Sequence, residues 1–385
     1  MAHAMTDRRA LRNVDWLLLS AVLALALLGI ALVYSATSSP GSPHAGFQWR
    51  QLTWLGIGLV CAWGVAAIHY RVYDTLAWFG YAISLVLLIL VFPIGTEVLG
   101  AKRWLRFGGF QFQPSEFSKL LLIVGLAALL ASRRGITSPA RLTLLSLAYI
   151  GLPAVLVFRE PDFGTALVLA AMLMGMLFVY GAPWRHFVWM LLAGAVTLAL
   201  IFSILPGAGI HVLQSYQVDR ITAFLHPDRL DPQQNGYNLN ASIVAVAHGG
   251  VGGTGVKNAT QTLFGYLPEH ATDFVFAVVG EERGFVGAAW LIALYALLLW
   301  RGLKVITKSR STFGSLVAAG VVSMLLFQIT INIGMTIGLA PITGIPLPFM
   351  SFGGSHTLTN LLAIGVLQAI HVHAQSADEP RLAVA

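Results

Sequence analysis

Charged residues and cysteines are both scarce in this chain of 385 residues. Asp, Glu, Lys and Arg together make up 10% of the residues, whereas hydrophobic residues make up 57%. Soluble globular proteins typically carry about 25% charged residues, so the composition excludes that class and indicates lipid as the solvent. The one cysteine, Cys61, lies inside an apolar run. An internal disulfide is therefore excluded, and the loops must be ordered without one.

Motifs for nucleotide, metal and nucleic-acid chemistry are also missing. The Gly-rich segment HGGVGGTGVKN lacks the GxxxxGK[ST] spacing of a phosphate-binding loop, and we interpret it as a turn or a close helix contact. The chain contains no HExxH, CxxC pair or GxSxG, and its eleven histidines show no metal-ligand spacing. The net charge of +7 is spread along the chain. Because no basic domain forms, we exclude nucleic acid as a partner.

Long apolar segments are abundant. A membrane-spanning helix needs roughly 20 mostly apolar residues, so the sequence predicts an all-α integral membrane protein with about ten transmembrane helices. The first run follows Arg8, Arg9 and Arg12. It is longer than the ~7–15-residue core of a signal peptide, so we expect it to be retained. The predicted spans are residues 16–34, 52–68, 76–93, 116–131, 142–158, 163–181, 187–205, 284–300, 313–339 and 356–372.

The distribution of charge predicts the orientation of these spans. One set of connecting segments, which includes both termini, holds thirteen Lys and Arg but only five Asp and Glu, and the rest of the chain holds ten and eleven. Basic loops stay in the cytoplasm, so both termini are predicted to be cytoplasmic. The chain then forms a single polytopic membrane domain, residues 1–385. Its largest outward loop, residues 206–283, is too apolar for disorder, and we expect it to contain short membrane-associated helices.

Three polar segments on the predicted outer side could carry chemistry. The first begins with Lys102, Arg103 and Arg106, three bases within five residues. Alone, these bases are more typical of anchors for lipid headgroups. Charge inside the hydrocarbon costs at least ~2.5–3.5 kcal/mol per residue, so polar residues that enter the membrane need a partner or a purpose.

The same segment continues as QPSEFSKL into the fourth predicted span. We expect Pro114 to precede the helix and Ser115 to cap it. Glu116 and Lys119 are spaced i,i+3 on one helix face and are predicted to pair. A capped helix with a local ion pair would explain this pattern without any catalytic role, and the sequence leaves both interpretations open.

The second and third segments carry acids at predicted membrane boundaries. In REPDFGTA, Arg159, Glu160 and Asp162 lie at a short turn, which suggests long-range pairing, for example with Lys119. In the segment GYLPEHATDFVFAVVGEERGFVG, residues 265–287, Asp273 stands between polar residues and an apolar run. Such an acid suits a general base whose pKa burial raises. A surface carboxylate before a helix explains the pattern equally well.

With these residues laid out, the chain resembles the SEDS family (shape, elongation, division and sporulation). The resemblance covers nearly the whole chain and rests on GAKRW, QPSEFSKL, EPDFGTA, GYLPEHATDFVFAVVGEERGFVG and the stretch NIGMTIGLAPITGIPLPFMSFGGS. The segment NATQTLFGYLPE is more similar to the elongation branch than to the division branch. The resemblance implies an inverting peptidoglycan glycosyltransferase of the bacterial cytoplasmic membrane. Its substrate would be lipid II, polymerised on the outer face, with a class B penicillin-binding protein as transpeptidase partner.

The family's functional positions fall on residues of this sequence. Its proposed catalytic aspartate corresponds to Asp273, and its functional Glu, Lys and EPD aspartate correspond to Glu116, Lys119 and Asp162. One departure concerns the histidine of the family's LPE-x-HTDF pattern. Its place is taken by Ala271, with His270 one position earlier, so the role of that histidine is unassigned here.

The resemblance also implies how the substrate would be bound. The basic side chains on the outer side would meet its pyrophosphate, because Arg offers paired donors to phosphate oxygens. Grooves between helices would hold the polyprenyl tail, and membrane lipids would surround the bundle. No cofactor is required, although a divalent cation at the pyrophosphate stays open. The residues expected to bind or support the substrate are Lys102, Arg103, Arg106, Glu116, Lys119, Asp162, Arg220 and Glu269.

Two other functions compete with the enzyme. A flippase for lipid II would use the same bases and grooves, but it would also need functional charges on the cytoplasmic side, where the loops look like simple anchors. A non-catalytic scaffold for the penicillin-binding protein would leave Glu116, Lys119, Asp162 and Asp273 unexplained as a group. Within the family, the division role remains an alternative to the elongation role.

Overall fold

A computed structural model describes residues 13–37, 46–98, 101–108, 110–201, 218, 224, 235–256, 258–267 and 269–376. Helices dominate these ranges. The helices are α1 (Trp16–Thr37), α2 (Phe47–Ala67), α3 (Arg71–Ile94), α4 (Pro114–Ser132), α5 (Pro139–Arg159), α6 (Phe163–Tyr180), α7 (Trp184–Ala199), α8 (Asn235–Gly249), α9 (Thr260–Leu263), α10 (Val275–Lys308), α11 (Thr312–Thr336) and α12 (Gly354–Ser376).

The predicted membrane architecture is confirmed. Within the described residues, eight helices are long and apolar enough to cross a membrane: α1, α3, α4, α5, α6, α10, α11 and α12. The other two predicted spans coincide with α2 and with α7, which has 16 residues. The end of the seventh predicted span, residues 202–205, lies outside the described part of the chain.

A small sheet connects α3 to α4, where the sequence predicted only an outward segment. The strands β1 (Thr96–Val98), β2 (Ala101–Phe107) and β3 (Phe110–Phe112) form an antiparallel sheet in the order β1-β2-β3. The strands are short and contain aromatic residues, which favour β structure. The sheet brings the basic segment back to the start of α4.

Helix α12 occupies the centre of the bundle. It packs along α2 and also contacts α4, α10 and α11. Its glycine Gly365 lies against the backbone of Ala62 on α2, where a side-chain carbon would clash. By contrast, the described side chains of α7 are largely exposed on the surface of the bundle. Polar residues on α12 are therefore buried inside the protein, where they need partners.

Helix α10 is broken at Gly284, and the Gly-rich segment fills the break. Gly284 has φ 63° and ψ −162°, and a side-chain carbon there would lie 2.3 Å from the backbone nitrogen of Gly253. The amides of Phe285 and Val286 donate to the carbonyls of residues 250 and 251, so their hydrogen bonds are completed by the neighbouring turn. The interpretation of HGGVGGTGVKN as a turn with close helix packing is confirmed.

The predicted short helices of the largest loop are present as α8 and α9. A second small core, which includes Leu239, Ala245, Leu267 and Phe274, holds α8 against the beginning of α10. The described part of the loop is thus packed onto the bundle. Its location at the membrane surface stays a prediction.

Candidate active site

Four buried polar side chains from α4 and α12 form one hydrogen-bonded cluster, which we call the buried polar cluster: Glu116, Lys119, His356 and Asn360. The Lys119 ammonium lies 2.7 Å from Oε1 of Glu116, so the predicted i,i+3 ion pair is confirmed. On the other side of the same carboxylate, Nδ1 of His356 lies 3.0 Å from Oε2, and Nδ2 of Asn360 lies 3.0 Å from Nε2 of His356. Asn360 therefore holds the imidazole ring in the orientation that directs its Nδ1 at Glu116.

His356 and Asn360 were not singled out from the sequence. They lie one turn apart near the beginning of the last apolar span and are 4% and 1% exposed. Polar residues inside an apolar span are expensive unless they have a partner or a function, and that signal was available. Their partner Glu116 could not be inferred, because it lies 240 residues away in the sequence.

Asp162 is buried beside this cluster, but it does not pair with Lys119. Its carboxylate accepts hydrogen bonds from the amide and hydroxyl of Thr165, from Ser115 and from Gln113, at 2.9–3.3 Å. The predicted pairing with Lys119 is therefore wrong, because local donors at the start of α6 already satisfy Asp162 and Glu116 satisfies Lys119.

The expected cap of α4 is also wrong. Pro114 is the first residue of the helix rather than the residue before it, and Gln113 holds the capping position without a side-chain cap. Ser115 lies fully buried inside the first turn, where its hydroxyl donates to Asp162. This serine connects the end of α4 that carries Glu116 to the turn that carries Asp162.

Arg103 ties the sheet to the turn between α5 and α6. Its Nε donates to the carbonyl oxygen of Glu160 at 3.1 Å, and its terminal nitrogen donates to that of Pro161. Pro161 has a φ of 29°, a strained value that the arginine helps to hold. These donors are engaged within the protein, so Arg103 positions the turn. Its predicted contact with pyrophosphate stays a prediction.

Glu160 is buried at this turn, outside the spans, in an environment that disfavours its charge. It is 1% exposed, and within the described residues neither carboxyl oxygen has a hydrogen-bond partner. Burial raises the pKa of Glu160 to about 9, and the neighbouring Asp162 adds to this shift while Arg103 opposes it. Glu160 therefore holds its proton at neutral pH.

A pH dependence of stability follows from Glu160. In the unfolded chain a glutamate ionises near its ordinary value, whereas here it keeps its proton up to about pH 9. The folded state binds more protons across this window, so stability falls as the pH rises through it. We expect the melting temperature of the detergent-purified protein to fall more between pH 6 and pH 9 than that of Glu160→Gln. Over this pH range, the wild-type protein should lose about 2–4 kcal/mol more of its free energy of unfolding than Glu160→Gln. Parallel curves for the two proteins would contradict a buried, protonated Glu160.

Of the other basic residues predicted to meet the pyrophosphate, the structure describes Lys102 and Arg106 but not Arg220. Lys102 and Arg106 are exposed on β2, so their charges are free to meet a ligand. Arg220 lies outside the described residues. Lys102 and Arg106 therefore remain candidates for binding an anionic group. Arg103 holds the strand that carries them against the turn between α5 and α6.

Asp273 lies two residues before α10 and is partly buried. Its backbone is held from both sides: its amide donates to the carbonyl of Glu269 at 3.0 Å, and its carbonyl accepts from Asn332 at 2.8 Å. Glu269 itself is exposed, has a φ of 50°, and accepts from Thr272 through its carboxylate at 2.8 Å. This arrangement fixes the position of the Asp273 backbone at the beginning of the helix.

The two residues at the displaced histidine position have different environments. His270 contacts the carbonyl oxygens of Leu267 and Ala36, at 2.7 and 3.2 Å, and so joins this segment to the end of α1. Ala271 is buried, and its carbonyl accepts from the amide of Phe352 at 2.9 Å. His270 is therefore engaged in holding the segment.

The Asp273 segment and the buried polar cluster are joined through the residues before α12. The amide of Phe352 donates a hydrogen bond to the carbonyl of Ala271. Three residues later in the chain, the hydroxyl of Ser355 accepts a hydrogen bond from the amide of Gln113 at 3.0 Å. The next residue, His356, contacts Glu116. A short piece of chain therefore connects Asp273 to the cluster at the same end of the bundle.

Glu281 is a further buried acid that the sequence analysis did not interpret. Its carboxylate accepts from the amides of Gln261 and Thr262 and from the Thr262 hydroxyl, at 2.7–3.1 Å. It thereby fixes α9 against α10, next to the loop that leads to Asp273. An acid within an apolar helix was a signal in the sequence. Its partners, two main-chain amides and the hydroxyl of Thr262, are not revealed by a sequence pattern.

A cation site is not apparent in the part of the chain that the structure describes. There, no three His, Cys, Asp or Glu side chains gather as metal ligands would. We therefore assign no residue to the divalent cation that the sequence analysis left open.

Comparisons with known proteins show the family to which the chain belongs. The model of the FtsW, RodA and SpoVE family, described as "Cell cycle protein", matches residues 15–376. The chain belongs to this family. It is accordingly a multi-pass membrane protein of the SEDS family of peptidoglycan glycosyltransferases.

Three curated relatives show how evenly the chain resembles the branches of the family. It is 36% identical to Stage V sporulation protein E of Bacillus subtilis, over 92% of this chain and 95% of that protein. It is also 36% identical to peptidoglycan glycosyltransferase MrdB of Escherichia coli, over 91% and 92%, respectively. The same identity is found with the probable peptidoglycan glycosyltransferase FtsW of Thiomicrospira cyclica, over 95% and 94%. Identity alone does not separate the branches.

Solved structures of relatives show the same fold. A chain of a peptidoglycan synthase complex that coordinates polymerization and crosslinking superposes with a TM-score of 0.79 at 32% identity, and the match covers 94% of this chain and 98% of that one. The rod shape determining protein RodA of Thermus thermophilus gives a TM-score of 0.68 at 31% identity, over 93% and 96%. The SEDS fold is thereby shown for nearly the whole chain.

Proposed function

We propose that this glycosyltransferase polymerises lipid II into glycan strands at the outer face of the cytoplasmic membrane. The observation that carries the proposal is Asp273, a partly buried carboxylate whose backbone is held by Glu269 and Asn332. A short connection links it to the buried polar cluster. Carboxylates held in half-apolar surroundings suit general-base catalysis.

The proposed step is a single inverting displacement, which converts the α-linked sugar of lipid II into a β-linked strand. The carboxylate of Asp273 takes the proton of the 4-hydroxyl of the acceptor lipid II. The oxygen forms a bond to the anomeric carbon of the donor strand. The bond from that carbon to the pyrophosphate breaks, and polyprenyl pyrophosphate leaves with the electron pair. An inverting reaction needs one base and stabilisation of the leaving group.

The leaving pyrophosphate would be met by the basic residues of the sheet. Lys102 and Arg106 are exposed at this end of the bundle, and a charge-assisted hydrogen bond from either is stronger than a neutral one. Arg103 holds the turn beneath them, and Arg220 is the further predicted contact. Glu116, Lys119 and Asp162 would maintain the shape of the groove without touching the reacting proton.

We assign the protein to cell elongation and shape, on the basis of the segment NATQTLFGYLPE. In the structure this segment contains α9 and the turn that Glu281 fixes next to Asp273. A difference between elongation and division enzymes at this position would act directly beside the reactive carboxylate. The division role is the alternative.

A class B penicillin-binding protein is the proposed partner. A solved relative is a component of a peptidoglycan synthase complex, and the outer loops of this chain would contact such a transpeptidase. We expect purified protein given labelled lipid II to form glycan strands slowly alone and faster with its partner, because the Gly-rich outer segments need ordering. The products are read on a gel. Equal activity with and without every candidate partner would contradict regulation by complex formation.

The proposed orientation places both termini in the cytoplasm and Asp273 outside. Asn258 is exposed near α9, whereas Ile136, in the turn after α4, is exposed at the opposite end of the bundle. In a Cys61→Ala background, Asn258→Cys should react with an impermeant thiol reagent in intact cells without an outer-membrane barrier. Ile136→Cys should react only after lysis. The reverse pattern would overturn the orientation and the face assigned to the chemistry.

A further inference from the structure

A groove lined mainly by apolar side chains runs between α1 and α10, separate from the buried polar cluster. Its volume is about 540 Å³, and its lining includes Leu28, Leu32, Val286, Trp290, Leu291 and Met350. Neither Asp273 nor any member of the buried polar cluster lines it. We call it the α1–α10 groove.

One end of the α1–α10 groove is polar. Ser35, Glu282 and Arg283 lie there, at the same end of α10 as Asp273. Glu282 is buried, and its carboxylate accepts a hydrogen bond from Ser35. Arg283 is exposed, and within the described residues its guanidinium makes no hydrogen bond or ion pair. An amphiphile with an anionic head and a hydrocarbon chain matches this order of charge and apolar surface.

The size of the groove indicates that its occupant is a single hydrocarbon chain rather than a protein helix. A transmembrane helix is about 10–12 Å across with its side chains, so even two turns of one would exceed the groove. Pockets for small ligands range over ~300–1,000 Å³ and are mostly apolar with few polar groups. The α1–α10 groove is of this kind.

The position of Arg283 relative to Asp273 decides which amphiphile fits. From Val275 to Arg283 the helix is uninterrupted, and this stretch rises by about 12 Å. A phosphate at Arg283 is thus displaced along the helix from Asp273, whereas the departing pyrophosphate of the donor is attached to the carbon that reacts. The phosphate at Arg283 is placed instead to belong to the acceptor, whose two sugar rings separate its pyrophosphate from the 4-hydroxyl that reacts.

We propose that the α1–α10 groove binds the polyprenyl chain of the acceptor lipid II, with Arg283 contacting its pyrophosphate and its disaccharide extending along α10 to Asp273. This inference rests on the proposed polymerase function. The donor would use the basic residues of the sheet, which do not line the α1–α10 groove. The two lipid-linked substrates would thus approach one carboxylate from two separate grooves.

The test combines kinetics with crosslinking. Ala31 is an exposed lining residue of α1, so Ala31→Trp fills the groove without disturbing the core. Ala289→Trp, on an exposed position of α10 outside the lining, is the matched control. Arg283→Gln removes the phosphate contact, and Arg141→Gln, an exposed arginine at the opposite end, is its control. We expect Ala31→Trp and Arg283→Gln to raise KM for lipid II about tenfold or more with a smaller change in kcat, and the controls to leave both unchanged.

Crosslinking is performed on the Asp273→Asn protein with lipid II that carries a photoreactive polyprenyl chain. Adducts on α1 and α10 that unlabelled lipid II removes, and phosphatidylglycerol does not, support the acceptor site. Adducts removed equally by phosphatidylglycerol would show a bulk-lipid groove and overturn the proposal. Loss of the partner from Ala31→Trp with unchanged KM would show a helix-docking surface and also overturn it.

The two proposals can fail separately. Polymerisation by the wild-type protein with unchanged kinetics in both groove variants would preserve the proposed function and refute the acceptor site. If the wild-type protein does not polymerise lipid II, the function fails, and the crosslinking pattern still decides whether the groove binds the lipid.

Discussion

Replacing Asp273 by Asn should lower the rate of lipid II polymerisation about 10²–10⁴-fold, the usual cost of losing a general base. The amide keeps the shape of the side chain but cannot accept the proton of the 4-hydroxyl. The hydrogen bonds of residue 273 with Glu269 and Asn332 are made by its backbone, so the substitution leaves these two bonds intact. The rate is measured with labelled lipid II and purified protein in the presence of its partner.

The control for this substitution is Asp74→Asn, an exposed carboxylate in the first turn of α3 at the opposite end of the bundle. It should leave the rate unchanged. Thermal unfolding and copurification with the partner establish that Asp273→Asn is folded and assembled. If such a protein still polymerises lipid II at close to the wild-type rate, Asp273 is not the base.

Removing the carboxylate of Glu116 should destabilise the protein by about 3–5 kcal/mol, because Lys119 would remain as a buried charge without its counter-charge. Both side chains are nearly inaccessible, and His356 contacts the second carboxylate oxygen. Glu116→Ala therefore leaves an ammonium and an imidazole proton unsatisfied. A lower melting temperature in detergent and a lower yield of folded protein are the expected observations.

A double substitution separates stability from activity at this cluster. Glu116→Gln with Lys119→Met removes both charges, and replacing a buried ion pair by uncharged groups of similar size is often close to neutral. We expect the double variant to regain much of the stability while its polymerase activity stays low. Arg134→Met, an exposed arginine bonded to Thr312, should change stability by no more than about 0.5 kcal/mol. Unchanged stability of Glu116→Ala would show that the cluster is solvated and not buried.

The sequence predicted the parts of this fold that depend on local patterns. Apolar runs of the right length located the spans, and the i,i+3 spacing predicted the pair between Glu116 and Lys119. Both signals are contained within one helix. They need no information about which helix packs against which.

Features that depend on distant contacts were missed. The contact between His356 and Glu116 requires α12 to pack beside α4, and no spacing along the chain encodes that packing. Asp162 was expected to pair with Lys119 because long-range attraction was assumed, whereas the nearby Thr165 and Ser115 satisfy it. The sheet was missed because its strands are short and lie between two long apolar helices.

The break at Gly284 divides α10 into two parts that respond differently to the membrane. The part after the break, Phe285–Lys308, is about 36 Å long, enough to cross a hydrocarbon layer of about 30 Å with some tilt. The part before it is clamped by the Gly-rich turn and by α9. We therefore expect the part after the break to accommodate differences in bilayer thickness by tilting, while the part before it stays fixed to the Gly-rich turn and α9. The geometry around Asp273 would then be the same in membranes of different thickness.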